Sequence, residues 1–561
     1  MTAAALACIA SCGKEPPPGP SHAPPATSPV PPPDGLVAEV SARGPDALWG
    51  RLQQGVAGPL ERLPQTVAGA LATTAKLDLS IAGEVDGAAA AYGVVASSGA
   101  SLGWVAALGL RDFDHARATL LEGKSPRFAG DDAGSGVVAL SPNGSRDGGE
   151  PGFVLALSPL GYLLFASSRA DLAALAPYAT RTLPSRRKSP HGVTATITHG
   201  ALAGPIHDRL EASLAALRAE ATRLDASLRA EHGGKAPDLG DPTVVIQALD
   251  ELAHEKLATL ADLARVDVTL DAADADLDVE LVAVPGAGPS KAAFAGLVTG
   301  DATPLLTLSS DTDAAILLRD DAESLRDWAA RTEQRAAAIF KPALSEKDVK
   351  TMHAALGAWA EARGAWLTAS LELEGAPALT LRTPASDPER ATKAFGGLVD
   401  LTKIPLFRTM LETRLSVTGS STATAEVAGS GATSITTFKM DDSHDHARHR
   451  QTDGHGAAEL AVAWAATGQL LHAAAATSSA RALRASKDPT SLLGRDMLLA
   501  GKLGTLRDRA AFVFAARRGA EEGARKASVV VALGRERESG WGMLEIDDEL
   551  VREALTRGLE P

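Results

Sequence analysis

Thiols are almost absent from this sequence. Among 561 residues the only cysteines are Cys8 and Cys12, so nothing beyond residue 12 can form a disulfide, a redox pair or a cysteine metal site. Aromatic residues contribute 4% against 45% hydrophobic residues in all, which leaves Ala, Leu and Val to fill the cores. No apolar run approaches the roughly 20 residues that a membrane-spanning helix needs. A net charge of −14 excludes the basic stripe that duplex phosphates require, so no nucleic-acid partner is expected. Also missing are a G-x-S-x-G elbow, an H-E-x-x-H pair, a P-loop and a glycine-rich dinucleotide fingerprint. An enzyme is therefore not the expected reading. A hydrolase whose residues converge only in the fold stands third among the alternatives.

The chain exceeds the size at which one core keeps growing, and it should divide. From Leu36 the alternation Leu36-Val37-Ala38-Glu39-Val40 predicts a strand, and Gly44-Pro45-Asp46 opens a helix with Pro in its first turn. Leu77, Leu79 and Ile81 alternate ahead of an Asp86-Gly87 turn and the strand at Tyr92, which predicts a β-hairpin. Leu102 to Leu108 is a further strand, and Asp112 is placed to cap the helix after it. Phe153 to Leu157, Tyr162 to Phe165 and a Ser167-Ser168 cap repeat the succession of hairpin, cap and helix. Between Pro205 and Leu263 two amphipathic stretches, with Leu210, Leu214, Leu217, Leu224 and then Leu249, Leu252, Leu260, predict an αα-hairpin packed within the chain.

A second pass through this order follows. Leu305 to Leu308 echoes the opening strand, and two helices centred on Trp328 and Trp359 come next. Strands at Leu367 to Leu373 and Ala378 to Leu381 precede a helix after Ser386-Asp387-Pro388, while Leu460 to Leu483 echoes Phe153 to Leu175. The expected fold class is α+β, in two diverged halves of antiparallel sheet built from β-hairpin plus helix units with αα-hairpins. The expected division is residues 36–300, holding an αα-hairpin at about 205–264, and residues 301–561.

Ahead of the body, Ile9-Ala10-Ser11-Cys12 sets an aliphatic residue and two small ones before a cysteine. A run of prolines follows at 16–18, 24–25 and 31–33, which favours polyproline II at about 3.1 Å per residue. The tetrapeptide resembles the lipobox of bacterial lipoproteins. That resemblance implies a signal peptide over 1–11, a diacylglyceryl group on Cys12 with acyl chains such as palmitate, and a tether over 12–35. It also implies membrane attachment through the lipid, in the bacterial envelope; Gly13 after the cysteine fits an outer-membrane lipoprotein facing the periplasm. The leader is short and carries no Lys or Arg before Cys12, so the natural start is expected upstream of Met1. In layout the body loosely resembles large domain families of bacterial envelope proteins, which imply no activity.

Local chemistry concentrates at residues 441–456. His444, Asp445, His446, His449 and His455 bring four of the chain's 13 histidines together, a donor set suited to Zn or another divalent transition metal. A mobile polar loop accounts for the same residues, and Arg448 and Arg450 oppose cation binding. His115 and His199 lack a visible nucleophile partner, and the pairs Asp131-Asp132 and Asp320-Asp321 adjoin turns or helix starts, where capping explains them. The expected function is a membrane-anchored binding or structural protein without catalysis, its cargo an apolar lipid or peptide. Metal binding through the histidine loop is the alternative.

Overall fold

The computed structural model describes residues 27–551 except 54–62, 75–78, 99–100, 123–125, 135, 143–152, 187–188, 232–241, 273–275, 341–342, 374–375, 428–430, 441–458, 519–526 and 548. Ten strands come first: β1 (Leu36–Ala42), β2 (Ala91–Ser98), β3 (Ser101–Gly109), β4 (Phe128–Asp132), β5 (Val138–Pro142), β6 (Val154–Ser158), β7 (Tyr162–Ala166), β8 (Val193–Thr198), β9 (Arg265–Ala272) and β10 (Asp276–Val284). Ten more follow: β11 (Ala314–Arg319), β12 (Trp366–Glu372), β13 (Ala378–Pro384), β14 (Val417–Val427), β15 (Gly431–Met440), β16 (Glu459–Thr467), β17 (Leu470–Ala476), β18 (Ala510–Arg518), β19 (Ala527–Glu536) and β20 (Ser539–Asp547).

All pair antiparallel into one sheet, in the order 4-5-6-7-3-2-1-8-9-10-20-19-18-11-12-13-17-16-15-14. Adding ten to every strand number turns the pairings of the first set into those of the second. The sets join only through β10 and β20, from Asp276 opposite Asp547 to Ala283 opposite Gly540. Antiparallel pairing of two equivalent strands is what a local two-fold axis produces, as at an isologous interface. The α+β class and the duplicated antiparallel order expected from the sequence are both present.

The helices of the first half are α1 (Pro45–Gln53), α2 (Val67–Thr74), α3 (Ser80–Glu84), α4 (Phe113–Arg117), α5 (Arg169–Pro177), α6 (His199–Ala203), α7 (Pro205–Glu231), α8 (Pro242–Ala261) and α9 (Pro289–Ala295). Those of the second are α10 (Thr303–Leu306), α11 (Ala322–Ile339), α12 (Glu346–Ala362), α13 (Pro388–Asp400), α14 (Pro405–Leu415), α15 (Ser479–Ala485) and α16 (Met497–Thr505). Their starts are written locally. Ser168 and Ser478 accept the backbone N–H of Asp171 and Arg481 at equivalent places before α5 and α15, and Asp112 accepts that of His115 before α4. Ser345 and Asp348 close a reciprocal capping box on α12.

Two expectations fail for one reason. Ile81 belongs to α3, so β2 pairs with β1 and β3 and not with a strand through Ile81, while Leu77 lies outside the described residues; Leu305 belongs to α10, and the strand equivalent to β1 lies later, at β11. In each case a short apolar run satisfies either period, and Pro304 in the first turn of α10 favours the helix.

Helices cover both faces of the sheet. One face, here the first, packs β2, β3 and β7 against α5 through Val94, Ala107, Leu164, Leu172 and Leu175. It also packs β18, β19 and β20 against α10 and α16 through Val513, Val530, Trp541, Leu305 and Leu503. The second face carries α2 and α3 over β3, β6 and β7, then α6 and α9 over β8 to β10, and α12 and α13 over β12, β13 and β17.

Candidate binding surfaces

The second face is not covered throughout. Between the areas roofed by α6 and α9 and by α12 and α13, β10, β20, β19, β18 and β11 present Leu277, Val279, Leu281, Leu544, Ile546, Val529, Val531, Leu533, Phe512, Phe514, Ile316 and Leu318. Each is only half-buried or is exposed, reaching 39% exposure at Leu281 and 53% at Leu533, while on β11, β18 and β19 their neighbours on the first face, such as Leu317, Val513 and Val530, are buried. None of the twelve belongs to a core cluster of the described residues. Helices α7 and α8 project from one border of this strip and α11 and α12 from the other, and the two hairpins meet where α8 lies against α11.

Helices α7 and α8 are pinned together by ion pairs of Arg218 with Asp250 at 2.5 Å and His254 with Glu211 at 3.3 Å. The hairpin expected there is present, but Leu217, Leu224 and Leu249 on it and Trp328 on α11 remain exposed. Alternation along the strands signalled the strip's side chains, yet period two cannot say which face the helices leave bare.

On the first face, above β1 and β8, lies a polar pocket of about 180 Å³. Its inner wall is a three-residue network: Tyr178 donates to Glu39 at 2.5 Å, and Arg186 donates both to Tyr178 at 2.5 Å and to Glu39. Burial, reinforced by the Glu39 hydrogen bond and charge, pushes the Tyr178 phenol up to about 12. The outer wall is His191, whose Nδ1 meets Asp271 at 2.6 Å while Asp271 also accepts the N–H of Gly192. On the floor the hydroxyls of Ser41 and Thr194 are 2.6 Å apart, and Thr196 donates to Asp267 at 2.8 Å. Sequence reading missed all of these, because Glu39 and Tyr178 stand 139 positions apart and His191 and Asp271 stand 80 apart.

Two further groups are buried and charged or chargeable. Lys502 of α16 is 5% exposed and meets Asp276 at 2.7 Å, Asp547 at 3.0 Å and Glu545 at 3.5 Å, where β10 joins β20. His472 of β17 is 2% exposed, with no hydrogen bond to either ring nitrogen and Asp488 3.6 Å from Nε2. Burial first, then the neighbouring Arg382, pushes its pKa down to about 4.

The candidates named from sequence are dispersed. Cys12 and the loop residues His444, Asp445, His446, His449 and His455 lie outside the described residues. Among the described residues no group of three or more His, Asp or Glu is arranged to hold a metal. His199 bonds through Nδ1 to the carbonyl of Leu263 at 2.8 Å, and His115 is exposed, 3.9 Å from Glu84. Asp321 caps α11, as expected; Asp132 accepts the N–H of Gly134 in a turn, and Asp131 and Asp320 instead pair with Arg169 and Arg363. No described helix is long and apolar enough to cross a membrane. Compared with protein-family models, curated proteins and solved structures, the chain matches none.

Proposed function

We propose that this protein is a lipid-anchored protein of the bacterial envelope, held by Cys12 at the outer membrane and facing the periplasm, and that it binds acyl chains without catalysis. The observation that carries the reading is the half-open apolar strip on the second face. Soluble proteins rarely leave a contiguous apolar surface of this kind bare unless something binds there. Each methylene transferred from water to such a surface gains about 0.8 kcal/mol, so a chain of about sixteen carbons offers on the order of 10 kcal/mol before the costs of ordering and association. A proline-rich tether would keep the strip within reach of the bilayer that supplies the cargo. Acyl chains fit a broad, unspecific strip better than a peptide, whose backbone needs partners that this pleated face, unlike a free strand edge, does not offer.

The test is native mass spectrometry of the protein purified from membranes of a bacterial host, expressed with any upstream leader. The expected species begins at an acylated Cys12 and carries additional fatty-acyl mass. In the double variant Leu281→Asp, Leu533→Asp the anchor mass should persist and the additional mass should disappear, with far-UV circular dichroism unchanged since both side chains are exposed. An unmodified chain in the soluble fraction would refute the anchor. Bound peptide in place of acyl mass, or cargo indifferent to the double variant, would refute the cargo.

A further inference from the structure

The polar pocket on the first face is the other place where the fold has assembled more than packing requires. Its chemistry can be read by asking which hydrogen-bonding capacity the protein itself uses. Glu39 is spent, since both carboxylate oxygens are engaged by Arg186 and one also by Tyr178. Arg186 has its charge paired by Glu39 in the same network, where three of its N–H groups are used. Arg43, at the rim, is unspent: its side chain is exposed and makes no ion pair or hydrogen bond among the described residues, although its backbone N–H is fixed by the carbonyl of Gly192. Ser41 and Thr194 share one hydrogen bond, which uses the proton of only one hydroxyl and leaves the other free to donate. The unspent capacity along this floor and rim is therefore donor capacity, focused by one uncompensated guanidinium in a chain whose net charge is −14.

His191 supplies the opposite sense. A carboxylate can only accept, so in the neutral ring the proton resides on Nδ1 facing Asp271, and Nε2 is left as an acceptor without a partner among the described residues. A group that satisfies Arg43 and the floor hydroxyls must be an acceptor, for which an anion best matches the guanidinium, and one that satisfies Nε2 must be a donor such as a hydroxyl. The volume sets the size. About 180 Å³ is the share of roughly six waters at about 30 Å³ each, and it is below the roughly 300 Å³ where drug-sized pockets begin.

We infer that this pocket binds a small hydroxylated anion, a carboxylate or phosphate of no more than sugar-acid size, with Arg43 holding the charge and His191 accepting from a hydroxyl. Asp271 is a positioning residue that fixes the ring's tautomer. The site lies across the sheet from the apolar strip and does not depend on the acyl-binding proposal.

The probes are glycerate and glycerol 3-phosphate, with propionate, inorganic phosphate and uncharged glycerol as controls. They are titrated into the intact protein at millimolar concentration near neutral pH, and the histidine ring signals are followed by nuclear magnetic resonance. Saturable binding of a hydroxylated anion that shifts the His191 ring signals is expected, with glycerol silent. Arg43→Gln should weaken that binding about tenfold, as loss of one charge-assisted contact does, without moving the melting temperature, because Arg43 supports nothing else. His191→Phe should abolish the preference for glycerate over propionate, or for glycerol 3-phosphate over phosphate, while leaving binding of the bare anion. Absence of saturable binding by every anion would overturn the proposal, as would equal binding by the Arg43→Gln protein or an unchanged hydroxyl preference in His191→Phe.

Discussion

Lys502 sits where the two halves of the sheet are joined, and replacing it with methionine tests how that joint is held. Its ammonium lies within ion-pair distance of Asp276, Glu545 and Asp547, and Asp278 adds a fourth carboxylate nearby. Breaking a buried pair by removing one partner typically costs about 3–5 kcal/mol, roughly 3–9 °C in melting temperature for a cooperative unit of about 250–500 residues. The loss must also depend on pH. Burial raises the pKa of Glu545 to about 7, with Lys502 opposing and Asp278 and Asp276 adding to the rise. A carboxyl raised in the folded state destabilises the fold when ionised. Its penalty is absent below its ordinary value, near 4.5, and complete above about 7. Asp276 is raised as well, by burial and by its hydrogen bond to Asp547. Without the ammonium both penalties deepen, so Lys502→Met should cost several kcal/mol at about pH 8 and much less at about pH 5, where Glu545 takes up a proton. Urea unfolding of both proteins at the two pH values measures the difference. A loss under about 1 kcal/mol at pH 8, or one equal at both pH values, would show that the carboxylates are relieved by solvent and not by Lys502.

Three further outcomes follow from the geometry. His472 has its folded pKa depressed to about 4, so it costs nothing above its ordinary value of 6.5 and lowers stability as pH falls from there towards 4, by roughly 3 kcal/mol in all; His472→Leu should flatten that part of the pH–stability curve and leave stability at neutral pH equal or higher, since two unpaired ring nitrogens are removed. Gly540→Ala would put a Cβ 2.5 Å from the ring of Phe294, which seats α9 on the sheet, and should lower the unfolding free energy by about 1–3 kcal/mol in urea titrations; an unchanged midpoint would mean that α9 shifts freely. Replacing residues 208–258 by a short flexible linker should remove helical circular dichroism while leaving the sheet cooperative, because β18 and β19 are joined through residues 519–526 alone; loss of cooperative unfolding would show that the sheet depends on the hairpin.

What the sequence revealed and what it hid divide along a physical line. Strands with one buried face announced themselves by alternation, as in β3, β12 and β20, and some helix starts were legible where a Ser or Asp stood ready to cap, as at Ser168, Ser478 and Asp112, but not at Ser345 or Asp496. β14 was illegible because its sequence, VTGSSTATAEV, places almost nothing apolar on either face; as an edge strand it is held by its ladder to β15 and by contacts such as Thr422 with Thr436 at 3.0 Å. The polar sites were illegible for another reason. Lys502 and Asp276 lie 226 positions apart, and only the return of β20 beside β10 brings them together.

Duplication explains the sheet and not the apolar strip. Two copies joined about a local two-fold axis should offer two equivalent surfaces, one on each side of the β10 and β20 seam. Here the helical hairpins that border the strip are not equivalents: α7 and α8 occupy the connection from β8 to β9, whereas α11 and α12 occupy that from β11 to β12. The counterpart of the first connection, from β18 to β19, contains only residues 519–526, and the counterpart of the second, from β1 to β2, carries the short helices α1 to α3. Long helices were thus placed at two unmatched connections whose hairpins meet on the same face, through α8 and α11. A stability role alone would not require that convergence, because the first face packs the same central strands with α10 and α16 already. Convergence of unmatched helices beside an exposed apolar surface, directly over the seam of an otherwise repeated sheet, is what a single site for apolar cargo would need.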